Sequence, residues 1–175
     1  MNKGCNVSNA KNESKRRHIF VSHHHKDDAG VDKMTDLLKR GGCDARNSSI
    51  RALRPENQER MKKGMVKDET IRRWLRAKIS WAGAVVVLVG KETHSRPWVD
   101  WEIEQAHKQG KRIIGVYEQG GTEADLPKNL HKYRDALVGW QSDRIMDAID
   151  GKLDNSQKSD GTAWPKRDIK RIKCQ

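Results

Sequence analysis

Residues 84–117, "AVVVLVGKETHSRPWVDWEIEQAHKQGKRIIGVY", decide how this chain folds. The opening run AVVVLVG (84–90) is apolar throughout, which predicts a strand covered on both faces. RIIGVY (112–117) predicts a second buried strand. The stretch between them predicts a helix, with Ser95 and Pro97 near its start and Gly110 past its end. Val99, Ile103 and Ala106 form a core-facing stripe along it. Strand, helix, strand in this rhythm belongs to a parallel sheet.

The rhythm continues outward. HIFVS (18–22) predicts a first strand, followed by a helix carrying Val31, Met34, Leu37 and Leu38 that Gly41-Gly42 closes. CDARN (43–47) predicts a second strand, and residues 48–66 are polar and aperiodic, a loop of a length usually reserved for function or movement. Asp68 is a candidate N-cap for a helix with Ile71, Trp74, Leu75, Ile79 and Ala82 on one stripe. ALVGW (136–140) predicts the last strand, and Ile145, Met146 and Ile149 a final short helix. The expected fold is α/β and flavodoxin-like: a five-stranded parallel sheet with helices on both faces, in a single domain over 18–151. Residues 1–17 are expected to be a flexible basic N-terminal segment and 152–175 a basic tail.

The net charge of +12 divides into +4 in each flank and +4 in the body, so most of the excess lies outside the expected core. No groove-forming basic face, zinc-finger pattern or RNA-recognition motif is present, and a dedicated nucleic-acid partner is not expected. No stretch is long and apolar enough for a membrane span, nor does the N-terminus resemble a secretory signal, so a cytoplasmic protein is expected. Cys5, Cys43 and Cys174 lack metal-site spacing and read as reduced thiols.

In a doubly wound sheet of this kind, ligands bind outside the carboxyl ends of the strands, at the switch point between the first and third. Ser22 and His23 fall at the end of the first strand, Asn47 and Ser48 at the end of the second, and Gly90 at the end of the third. The helix with Trp98 and Glu102 follows the third strand to the same rim. "SHHHKDD" (22–28) looks like a metal site, but consecutive residues leaving a strand point to alternating sides. No second histidine pair completes a ligand set, and no metal is expected. Asp27 and Asp28 read as the start of the first helix, where carboxylates suit its dipole.

The phrase HIFVSHHHKDD resembles the opening strand and turn of Toll and interleukin receptor (TIR) domains. SRPWVDWEIEQA resembles the TIR motif in which a Glu follows a Trp by four residues, here Trp98 and Glu102. AVVVLVG, RIIGVY and the late VGW extend the likeness over roughly 18–150. Within the superfamily the chain looks closest to the small stand-alone TIR-like proteins of bacterial Thoeris anti-phage systems. The resemblance implies an enzyme that cleaves NAD+ at the nicotinamide–ribose bond, with NAD+ as substrate and no cofactor. Its product would be an ADP-ribose-derived signal, with a cyclic ADP-ribose-like form expected, read by a partner effector protein. A homo-oligomer is compatible with the resemblance. Val99 departs from the Cys that often follows the Trp, and the 48–66 loop lacks the arrangement of receptor TIR domains.

The residues fit that chemistry. Trp98 and Glu102 are one helical turn apart, so an aromatic plane lies beside a carboxylate, with Ser22, His23, Asn47, Ser48 and Trp98 expected to touch the nucleotide and Glu102 to be catalytic. Glycosidases need a second carboxyl to protonate a leaving oxygen, whereas nicotinamide leaves NAD+ already neutral, so one carboxylate suffices. Water, an internal adenine or hydroxyl, or an outside molecule would each give a different product. Without the resemblance, Glu102 reads as a surface carboxylate paired with a Lys or Arg. Trp74, Trp81 and Trp101 read as packing residues, and Trp140 as a residue at the pocket's edge. A nucleoside deoxyribosyltransferase-like enzyme and a non-catalytic TIR-like adaptor are the alternatives.

Overall fold

In a computed structural model of the protein, which describes residues 17–23, 28–47, 59–60, 63–64 and 67–165, Ala84–Val89 is the centre of the sheet. Every residue of this strand is buried, as an uninterrupted apolar run requires. Its neighbours are parallel on both sides, with Ile19 opposite Ala84 and Ala84 opposite Arg112. The strands are β1 (Arg17–Ser22), β2 (Cys43–Asn47), β3 (Ala84–Val89), β4 (Arg112–Tyr117) and β5 (Ala136–Val138), in the order β2-β1-β3-β4-β5. The helices are α1 (Asp28–Arg40), α2 (Asp68–Trp81), α3 (Pro97–Lys108), α4 (Lys128–Tyr133) and α5 (Ser142–Ile149). This is the expected flavodoxin-like α/β fold in a single domain.

Period-two alternation splits the strands between two cores. Ile19, Val21, Val86, Leu88, Ile114 and Val116 pack with Val31, Met34, Leu38 and Ile145 of α1 and α5. Phe20, Val85, Val87 and Ile113 pack with Leu75, Ile79, Val99, Ile103 and Leu130 of α2, α3 and α4. Ile103 is fully buried, so truncation to Ala should cost about 2 to 5 kcal/mol.

Four features differ from the sequence expectation. Asp68 is not the cap of α2: Lys67 holds that place without a side-chain hydrogen bond, and Asp68 and Glu69 occupy the first turn. A 3₁₀ turn at Thr93–Ser95 separates β3 from α3, with Arg96 before Pro97 at the helix start. Arg17 belongs to β1, not to a loose segment, and its guanidinium clamps both carboxylate oxygens of Asp150 at 2.7 and 2.9 Å. Residues 152–165, expected in a basic tail, are instead held on the body, with 155–157 beside β5. The Leu137 amide donates to Asn155 and its carbonyl accepts from Gln157 at 2.7 Å, pairing an edge that would otherwise be open. The chain then turns back so that the Trp164 amide donates to the Ser156 carbonyl, and the indole packs beside Arg134, 4.9 Å from its guanidinium.

Candidate active site

β1 ends on Ser22, which alternation places on the same side as Phe20, toward α2 and α3. There its hydroxyl donates to Oε2 of Glu102 on α3. Ser22 is fully buried, and His23 and Glu102 are each 3% exposed. The structure therefore brings Ser22 and Glu102 together across 80 residues of sequence at the carboxyl end of β1.

Glu102 is not set apart from the core stripe on a face shared with Trp98. At about 100° per residue, it lies about 60° from Val99 and about 40° from Ala106, on the flank of the stripe. It is buried together with Val99, Ile103 and Ala106. Trp98, a further step of about 40° from the core, is half-buried and meets Trp101 edge-on at 5.8 Å. The Arg72 guanidinium lies 5.6 Å from both rings.

Burial sets the chemistry of the site. Loss of water around Glu102 raises its pKa from 4.5 to about 8, against the opposing effects of the Ser22 hydroxyl and the positive charge of Lys78. Lys78 on α2 is in turn pushed below the ordinary lysine range, first by burial, with Glu102 opposing and the Arg46 charge reinforcing. Arg46, near the end of β2, lies over the Trp81 ring at 3.9 Å. The resting site is thus a mostly protonated carboxyl near neutral pH, with a hydroxyl donor on it and one cation, Lys78, acting on it, while Arg46 acts on Lys78. Such a group gains most from a ligand that carries positive charge.

Sequence reasoning missed Lys78 and Arg46. Lys78 follows Trp74 by four residues and Leu75 by three, which puts it on the flank of the α2 stripe, the same signal that Glu102 shows on α3. Of the other expected ligand contacts, Asn47 has its backbone in register with Val21, and Ser48 lies outside the described residues. His24, His25 and Asp27 lie outside them as well. Among the described residues, no three His, Cys, Asp or Glu side chains gather as a metal-ligating group. His107 stacks on Tyr133 at 3.9 Å and His131 meets Trp164 at 5.6 Å. No described helix is long and apolar enough to cross a membrane. Trp81 and Trp101 pack against the core as expected, whereas Trp140 lines a different cavity of about 720 Å³ that does not include Glu102.

The family model described as "Thoeris protein ThsB, TIR-like domain" matches residues 20–123, the span that holds Ser22, Lys78, Trp98 and Glu102. No curated protein matches the chain. Among solved structures, the Clostridium botulinum CMP N-glycosidase BcmB is similar at a TM-score of 0.48 and 13% identity, over 78% of this chain and 100% of that one.

Proposed function

This chain belongs to the TIR-like domain family of the Thoeris protein ThsB, and from that premise we propose that it cleaves the nicotinamide–ribose bond of NAD+. The ADP-ribose-derived product serves as a signal, read by an effector protein in cytoplasmic anti-phage defence. The observation that supports this reading is the buried Glu102 carboxyl, held by the Ser22 hydroxyl at the carboxyl end of β1.

The chemistry follows from charge. When the bond from ribose C1′ to the pyridinium nitrogen breaks, its electron pair goes to the nitrogen and nicotinamide departs neutral. The positive charge moves onto the ribosyl C1′ and ring oxygen. An ionised Glu102 next to that centre stabilises it, a preorganised electrostatic contribution of about 3 to 4 kcal/mol. NAD+ brings the cation that favours ionisation of Glu102, and Lys78 and Ser22 already pull in the same direction. Trp98 offers a flat surface one turn away for a ring to stack on. Water, or a hydroxyl or ring nitrogen of the same molecule, then captures the ribosyl cation and sets the product.

The test is nicotinamide release from NAD+ by the wild type, Glu102→Gln and Glu104→Gln, with preparations from challenged cells included. Glu104 is the control because it is bound to Lys108 at 2.7 Å on the outer side of α3. Glu102→Gln should lower release roughly a hundredfold to a thousandfold, and Glu104→Gln should change little. Equal losses in both variants would refute the assignment. A wild type that releases no nicotinamide, yet binds partners equally well with and without Glu102, would identify an adaptor.

A further inference from the structure

A cavity of about 720 Å³ opens on the α1 side of the carboxyl edge, bounded by α1 and by the turns that follow β4 and β5. Neither Glu102, Ser22 nor Lys78 lines it. Its Trp140 packs with the core under α1 and α5, whereas the neighbours of Glu102 on α3 pack in the other core, across the sheet. It is therefore a second site, and nothing in the proposed NAD+ chemistry uses it.

Glycines make this cavity open and shape its wall. A Cβ on Gly30 would stand 1.8 Å from Oε1 of Glu118, so only glycine lets that carboxylate lie across the first turns of α1. A Cβ on Gly139 would meet nothing within 4 Å, and the backbone there is not in the left-handed region. That position faces empty space instead of a neighbour. The volume lies within the range of small-molecule pockets, roughly 300 to 1,000 Å³.

Three side chains define what fits. Trp140, half-buried, has one part of its indole in the core and offers the remainder as a platform for a planar heterocycle. Glu118, also half-buried, supplies carboxylate oxygens that accept hydrogen bonds from a pair of hydroxyls. Lys33, exposed and one turn along α1 from Gly30, places a cation where the cavity meets solvent. Among the described lining residues one lysine stands against one carboxylate, which suits a single phosphate better than a polyphosphate chain.

We propose that this cavity is a binding site for a nucleoside or nucleoside monophosphate: base on Trp140, ribose diol on Glu118, phosphate at Lys33. Calorimetric titration of the full chain with adenosine monophosphate, adenosine and adenosine triphosphate tests it. One saturable site is expected, with the triphosphate weaker than the monophosphate. Gly139→Leu, which fills the space, and Trp140→Ala should each weaken the monophosphate about tenfold or more, the size of one lost base stack. Lys33→Ala should weaken the monophosphate and leave adenosine unchanged. Glu102→Gln should bind all three as the wild type does, and Gly139→Leu should leave nicotinamide release by an active preparation unchanged, which together separate this site from the proposed NAD+ site. Circular dichroism of each variant checks folding, and Gly139→Leu carries the test if Trp140→Ala unfolds. Absence of saturable adenosine or monophosphate binding would overturn the proposal. Binding that survives Gly139→Leu undiminished would overturn it too.

Discussion

Replacing Glu102 with Gln should stabilise the protein by an amount that grows with pH. The carboxyl has a pKa of about 8 in the folded protein against 4.5 in an unfolded chain, with burial as the first cause. Between those values the folded state holds a proton that the unfolded state has released, so wild-type stability falls as pH rises. From about pH 5 to about pH 8 this single group withdraws roughly 3 to 4 kcal/mol, from the shift and 1.36 kcal/mol per pKa unit. Glutamine cannot titrate and nearly matches the shape, and its Oε1 can still accept from Ser22. Other titrating groups are common to both proteins, so the difference between their stabilities isolates Glu102. Urea denaturation at several pH values across that interval measures it. The excess stability of Glu102→Gln should climb steadily with pH whatever its constant offset. A flat difference would mean that Glu102 is not desolvated and would refute the reasoning.

Three further outcomes are expected. Ser22→Ala and Lys78→Met each remove a group that favours ionised Glu102, so the pH at which nicotinamide release is half-maximal should move upward; a kcat/KM profile checks this, and a downward shift would contradict the site's electrostatics. Trp164→Ala should cost about 2 kcal/mol and lower the melting temperature by about 4 to 8 °C, whereas removing 166–175 spares the contacts of Ser156 and Trp164 and should shift it far less. A chelator should leave nicotinamide release unchanged, because the proposed leaving group needs no Lewis acid; loss of activity restored by zinc or magnesium would show otherwise.

The parallel sheet was legible because β3 and β4 are apolar runs and the helices around them carry clear stripes. α4 was not: it is six residues long with Leu130 its buried residue, too short for any period to register. The course of 152–165 was hidden for another reason. Backbone hydrogen bonds to Leu137 hold part of it, and these carry no side-chain signature; Leu153 and Trp164 are the large apolar markers in an otherwise polar stretch, too far apart to register a period. The Trp98–Glu102 spacing pointed to α3 and to the rim where Glu102 meets Ser22, but not to the depth of Glu102. A polar residue on the flank of a stripe can go either way, and the choice rests on Ser22, which is distant in sequence and provides the buried carboxyl with a donor.

That burial gives the site its sensitivity to ligand charge. An exposed carboxylate near pH 7 is already ionised and well hydrated, so a passing cation gains little from it. Glu102 is mostly protonated, and its ionisation is opposed by desolvation and favoured by Ser22 and Lys78. A pyridinium-bearing ribose seated beside it adds a full positive charge in a place from which water is excluded, which shifts the balance toward the carboxylate. In the proposed reaction the charge persists as nicotinamide leaves and is transferred to the ribose, so the same interaction continues through bond breaking. A neutral ligand in that position would leave Glu102 protonated and the site inert. In the proposed reaction, the stability that the fold loses to this buried acid at neutral pH is the counterpart of a site that becomes charged when a cationic substrate arrives.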